Sequence, residues 1–233
     1  MSDKTCVIVG AGPGNGLALG GKFLAAGYTT ALLARSSQNL EALKESLPGA
    51  YTHVCDVTDA KSIRSACAAV ERDLGRTDIL IYNAGSGVFG SIDDIDADAF
   101  EQAWRVNALG CFHCVETVLP GMRGAGAGKI IVMGATAAKR GGARFAAFAS
   151  AKAAQYNLAQ SLARHLGPEN IHVAYIVIDG VIDIPRTRAR MPDKPDDFFL
   201  DPNDIADAVL RVSEQPRSAW TFEIDLRPYC EKW

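Results

Sequence analysis

The chain is poor in cysteine, in long apolar runs and in excess charge of either sign. Six cysteines, at positions 6, 55, 67, 111, 114 and 230, are scattered through 233 residues. That excludes the dense spacing of a secreted disulfide scaffold and predicts reduced thiols. The longest uninterrupted apolar run, Val173 to Ile178, is one strand long, whereas a membrane span takes about 18 residues. Lys and Arg number 24 against 27 Asp and Glu, a formal charge of −3, which excludes a basic nucleic-acid clamp. The apolar stretch Cys6 to Val9 stops at Gly10, too short for a signal-peptide core. A cytoplasmic protein is expected, with a small-molecule substrate and neither nucleic acid nor membrane as partner. No Ser/Gly linker, charge block or internal repeat divides residues 1–233, so one domain is expected.

What the chain does contain is an alternation. Short β-rich runs stand at Cys6 to Val9, Thr29 to Leu33, Tyr51 to Cys55, Ile79 to Tyr82, Ile130 to Met133, Val173 to Ile178 and Trp220 to Ile224. They are nearly all apolar, as strands buried on both faces are. Between them lie stretches of helical period, such as Ile63, Ala66, Val70 and Leu74, or Leu158, Leu162 and Leu166. The pattern predicts an α/β fold: a Rossmann-type doubly wound sheet of about seven parallel strands with helices on both faces. The least regular part is the stretch 183–203, with prolines at 185, 192, 195 and 202. A helix is hard to sustain there, and it reads as a substrate-covering loop or an inert excursion.

The first strand runs into Gly10-Ala11-Gly12-Pro13-Gly14-Asn15-Gly16, and Leu17 to Ala26 reads as a helix. Glycines let such a turn approach a diphosphate closely, while the helix N-terminus offers unpaired N–H groups and positive dipole charge. About 20 residues further, where an NAD-preferring fold carries an acid, stands Ala34-Arg35-Ser36. A guanidinium there pairs with a 2′-phosphate, favouring NADP(H) over NAD(H); the alternative is an ordinary solvated arginine.

These residues together resemble the short-chain dehydrogenase/reductase family over essentially the whole chain. Its signature Thr-Gly-x-x-x-Gly-x-Gly is similar to Val9 to Gly16, with Val9 departing from Thr and Asn15 from the usual Ile. The resemblance implies adenine contacts at Asp56 and Val57, and identifies Tyr82-Asn83-Ala84-Gly85 with the family's Asn-Asn-Ala-Gly. It places Gly180 and Ile182 near the nicotinamide amide. It also implies a single-domain enzyme, a homodimer or homotetramer, packed through the helices after strands four and five and the small-residue faces around Ala153, Ala154 and Ala159. Such an enzyme passes a hydride between a nicotinamide and an alcohol or carbonyl.

The family's catalytic set is Asn, Ser, Tyr and Lys. Asn107 and Lys152 match, but Phe148 stands at the Tyr position and Ala135 at the Ser position. The alkoxide formed by hydride delivery needs a proton from a group within reach, and Phe148 has none to give. Stand-ins considered are Thr136, Asp179, which replaces the Pro of the family's Pro-Gly, and a water chain from Lys152 through Asn107. Tyr156, one turn beyond Lys152, reads as helix packing at a subunit contact. Cys111-Phe112-His113-Cys114 lacks a second ligand pair and reads as helix rather than metal site. His165 reads as a helix C-terminal cation and His172 as a packed surface residue. Three functions follow: an NADP(H)-dependent reductase of a carbonyl, quinone or activated alkene with an altered proton donor; a nucleotide-binding sensor or scaffold without turnover; or a non-redox enzyme retaining a structural cofactor.

Overall fold

A computed structural model describes residues 4–231. In chain order the elements are β1 (Thr5–Val9), α1 (Asn15–Ala25), β2 (Thr29–Ala34), α2 (Ser37–Ser46), β3 (Tyr51–Val54), α3 (Ala60–Leu74), β4 (Thr77–Tyr82) and α4 (Ala97–Trp104). A π-helical turn (Arg105–Leu109) leads into α5 (Gly110–Ala125), followed by β5 (Gly128–Met133), α6 (Ala146–Leu166), β6 (Ile171–Ile178), β7 (Val181–Ile182), α7 (Pro185–Arg190), β8 (Phe199–Leu200), α8 (Pro202–Ser213) and β9 (Glu223–Leu226).

Seven strands form one parallel sheet in the order β3-β2-β1-β4-β5-β6-β9. Along β1, Cys6 and Ile8 point into one apolar layer, with Leu19 and Phe23 of α1 and Ile205 and Val209 of α8. Val7 and Val9 point into the other, with Ile63 and Val70 of α3 and Cys111 and Val115 of α5. The strand period of two therefore serves two cores at once, so its sequence is continuously apolar. Cys111 and Cys114 belong to that second core, while His113 pairs outward with Glu116. No helix among the described residues is long and apolar enough to cross a membrane, and among them no cluster of three or more His, Cys, Asp or Glu side chains could hold a metal.

Helix starts follow local chemistry. Ser36, Asp59, Asp96 and Asp201 each accept an N–H of the first turn of α2, α3, α4 and α8 at 2.7–3.2 Å, satisfying donors the helix leaves open.

Three expectations need correction. The last strand lies at Glu223–Leu226 rather than Trp220 to Ile224; a 3₁₀ turn occupies Arg217–Ala219, and Trp220 stacks on His172 at 4.8 Å. His172 is therefore buried, not a surface residue, with Nε2 2.8 Å from the Thr221 carbonyl. The stretch 183–203 also does hold a helix. Pro185 occupies the first position of α7, where its missing N–H costs nothing, and Pro192 falls beyond the end. Arg188 ties the excursion together through Asp183 (2.6 Å) and Asp196 (2.6 Å), and β8 pairs with β7.

Candidate active site

Chain direction reverses between β1 and β4: the strands after β1 build outward to β3, those after β4 to β9. A crevice opens outside the carboxyl ends of the strands at such a switch point, and ligands bind there. The residues singled out in the sequence gather on this edge.

The turn after β1 is locked into the neighbouring strand ends. Gly10 and Ala11 donate to the Leu33 carbonyl at 2.8 and 2.9 Å, and Asn83 returns a side-chain N–H to the Gly10 carbonyl at 2.8 Å. Gly10 has φ +83°, and a Cβ there would overlap the backbone of Ala84. A Cβ on Gly16 would come 2.6 Å from Ala11 Cα, whereas nothing lies within 4 Å of one on Gly12. Two glycines thus pack the turn and a third leaves an open cradle, with Pro13 and Gly14 completing it ahead of α1. That helix has no side-chain cap at Gly14; Leu17 N–H donates to the Gly12 carbonyl at 2.9 Å, which leaves the amides of Asn15 and Gly16 to face an anion. Asn15 contributes a buried Oδ1 with no hydrogen-bond partner. On the far side Ile184, two residues beyond Ile182, lies against Gly14.

At the end of β2, Arg35 is exposed and makes no ion pair among the described residues. Ser36 spends its oxygen on the α2 cap and keeps its O–H free to donate. Asp56 Oδ1 accepts from Thr58 N and Oγ1 at 2.9 and 2.8 Å, which orients the carboxylate beside buried Val57. These groups fit a dinucleotide: an acceptor for an adenine amine, a cation at the ribose, an amide cradle for the diphosphate.

Beside the end of β5 stands Lys152. Its ammonium is buried and donates to the Met133 carbonyl and to Gln155 Oε1, each at 3.0 Å. Burial lowers its pKa to about 8. Asn107, in the π-helical turn, donates to the carbonyls of Ala103 (2.8 Å) and Ser86 (3.1 Å), leaving a buried, unpartnered Oδ1. Tyr82 anchors this turn by donating to the Val106 carbonyl. Gly85 sits between the two residues: a Cβ there would be 3.5 Å from Asn107 Oδ1 and 3.9 Å from Lys152 Nζ.

Gln155 was not singled out from the sequence. Fully buried, it donates Nε2 to the Asn107 carbonyl at 2.8 Å while receiving Lys152. A fixed side chain thus joins the Lys152 ammonium to the Asn107 backbone. A polar residue one turn past Lys152, on the helix face turned to the core, was the available signal. Gln155→Glu puts a carboxylate against the ammonium, raising the pKa of Lys152; its titratable neighbour among the described residues, Cys111, is itself pushed up to about 12 by burial. Any property that follows the lysine's charge, read by titration against pH, is expected to hold to higher pH in this variant. Gln155→Leu leaves two partners unsatisfied and is expected to cost about 2–3 kcal/mol in urea unfolding.

Thr136 Oγ1 donates to Asp179 Oδ1 at 2.5 Å, and Asp179 also pairs with Arg227 (3.5 Å) and Arg140 (3.9 Å). The hydroxyl's single proton is therefore committed to the carboxylate. Tyr156 packs on Tyr175 and Phe222 within the chain, 5.0 and 6.0 Å between centroids. Ala159, expected at a subunit contact, lies inside the core.

A profile of the short chain dehydrogenases matches residues 4–194. The chain belongs to the short-chain dehydrogenase family. Among family members, an uncharacterized oxidoreductase of Staphylococcus aureus is 28% identical over 230 residues, 98% of either chain. The crystal structure of a short-chain dehydrogenase from Rhodopseudomonas palustris superposes with a TM-score of 0.84 at 31% identity, covering 98% of this chain and 100% of that one. The NADPH-bound structure of a Pseudomonas aeruginosa short chain oxidoreductase, described as containing an atypical catalytic center, gives 0.89 at 26% identity over 100% and 98%.

Proposed function

We propose that this short-chain dehydrogenase family member is an NADP(H)-dependent reductase that works without the tyrosine donor. The observation that carries the reading is the gathering of the Gly10–Gly16 turn, Arg35, Asn83 and, through the Met133 carbonyl, Lys152 at the carboxyl ends of β1, β2, β4 and β5, with Arg35 free of ion pairs among the described residues. The NADPH in the similar Pseudomonas aeruginosa structure supports the choice of cofactor.

A nicotinamide dinucleotide, when bound, would supply a hydride. Around it the chain's own groups bind and orient: Lys152 keeps a third N–H beyond those given to Met133 and Gln155 for the ribose, and Asp56 and Val57 flank the adenine. Gly180 and Ile182 line the carboxamide side. Asp179 orients Thr136, and this pair stands beside the reacting carbon as a fixed dipole. Asn107 and Gln155 hold the lysine, and Phe148 keeps water off the site.

Arg35→Asp tests the cofactor choice. Losing a charge-assisted contact and adding repulsion is expected to weaken NADPH binding by about 100-fold while NADH binding holds or improves, as read by fluorescence titration. A second reading, a nucleotide-binding sensor without turnover, is favoured by Phe148 and Ala135; tight NADPH binding with no oxidation by any carbonyl, quinone or alkene would select it.

For assembly, Phe100, Trp104 and Phe112 leave large apolar surface exposed along the helix that follows β4. A patch of this kind fits a second copy of the chain, supporting a homodimer or homotetramer. Trp104→Glu is expected to convert the sedimentation profile to monomer at micromolar concentration.

A further inference from the structure

Phe148 stands four residues before Lys152, on the same face of α6. Its ring lies 5.1 Å from Phe89 and 6.1 Å from Phe145, and those two are 5.3 Å apart. The cluster is built by the backbone. Gly90 donates to the Arg144 carbonyl at 2.7 Å and accepts from Ala146 at 3.3 Å, tying the loop after Gly85 to the start of α6. Gly87 lies under the Phe89 ring, where a Cβ would come within 2.9 Å. Yet Phe89 and Phe145 remain 52% and 37% exposed, so two of the three phenyl rings face solvent, with Phe148 half-buried beside them. An aromatic patch of this kind marks a binding surface.

Three cations, Lys152, Arg140 and Arg227, stand on this edge with two carboxylates: Asp179, paired with both arginines, and Asp225, paired with Arg227. The family's tyrosine and serine positions offer no proton here, since position 148 is phenyl and position 135 is methyl, and Thr136 gives its proton to Asp179.

These two features select a substrate by the anion it forms. Hydride addition to a simple ketone gives an alkoxide about as basic as hydroxide, whose parent has a pKa near 15.7 in bulk water, so the reaction waits for a donor. Hydride addition to a quinone gives a hydroquinone monoanion, a phenolate like that of tyrosine, whose parent pKa is about 10. Such an anion can persist beside fixed cations without being protonated in place.

We infer that the substrate is a quinone, its flat ring packed on Phe89, Phe145 and Phe148 with its oxygen toward Lys152. The inference rests on the reductase reading above. Two electrons and one proton pass as hydride from the reduced dinucleotide to the quinone, giving oxidised dinucleotide and hydroquinone monoanion. The monoanion takes its second proton from water on release. The Phe at position 148 is then a binding group rather than a lost acid.

The test uses the intact protein, with NADPH binding established first by fluorescence titration. NADPH oxidation is then followed anaerobically with 1,4-naphthoquinone and with acetophenone, after subtraction of the uncatalysed rates. The expected result is a kcat/KM for naphthoquinone about 100-fold or more above that for acetophenone, the scale of a missing general acid. Phe148→Tyr is expected to raise acetophenone turnover about 10-fold or more. Phe89→Ala is expected to act on the naphthoquinone KM, by about 10-fold, rather than on kcat. Acetophenone reduced as well as naphthoquinone, or a naphthoquinone KM indifferent to Phe89→Ala, overturns the quinone inference and leaves the reductase reading standing. NADPH bound but oxidised by neither compound overturns both, and absence of NADPH binding overturns the cofactor assignment beneath them.

Discussion

Lys152→Ala is expected to abolish turnover and to weaken NADPH binding by about 10- to 100-fold, the equivalent of one charge-assisted hydrogen bond. The loss should be measured by single-turnover NADPH oxidation alongside fluorescence titration. Tyr156→Phe serves as the contrast: its ring packs on Tyr175 and Phe222, so most activity is retained. The pH dependence carries a sign. Burial lowers the folded-state pKa of Lys152 to about 8, below an unfolded value of about 10.4. Between those limits the unfolded chain binds more protons, so the lysine's penalty on stability is full below pH 8 and is relieved as pH rises. Cofactor affinity runs the other way, falling as the ammonium is lost through the same window. Lys152→Met removes both dependences, and stability of the wild type that falls between pH 8 and 10 relative to this variant would contradict the account.

Gly10→Ala is expected to cost more than about 3 kcal/mol, from a left-handed backbone now bearing a Cβ and from overlap with Ala84. Gly12→Ala makes the informative comparison. Nothing lies within 4 Å of a Cβ at position 12, so this variant should unfold in urea at the wild-type midpoint. The new methyl protrudes where the diphosphate has to approach, so NADPH binding should fall by about 10-fold or more. Equal effects of the two substitutions on stability would show that the turn is not held as described.

The order of strands and helices was readable because its cause is local. Buried parallel strands are continuously apolar, the helices repeat their apolar residues with helical period, and acids or Ser36 mark the helix starts. Reading was less secure where tertiary pairing decides. The last strand moved to Glu223–Leu226 because register with Tyr175 to Ile178, not composition, selects which residues of an apolar tail extend. The helix at Pro185–Arg190 forms where prolines suggested none, since an ion-pair clasp from Arg188 to Asp183 and Asp196 holds it.

The candidate site divides in the same way. Sequence alone determined that a glycine turn precedes a helix, that an arginine follows the second strand, and that phenylalanine and alanine stand at positions 148 and 135, because each of these is a matter of which residue type stands at a given spacing. Only the tertiary structure decided that Gln155 bridges Lys152 to Asn107, that Thr136 is committed to Asp179, and that Phe89 and Phe145 join Phe148 in one partly exposed cluster. Hydrogen bonds and ring contacts between residues three to sixty positions apart depend on how the parallel strands bring their ends to one edge, and no local pattern records which side chains meet there.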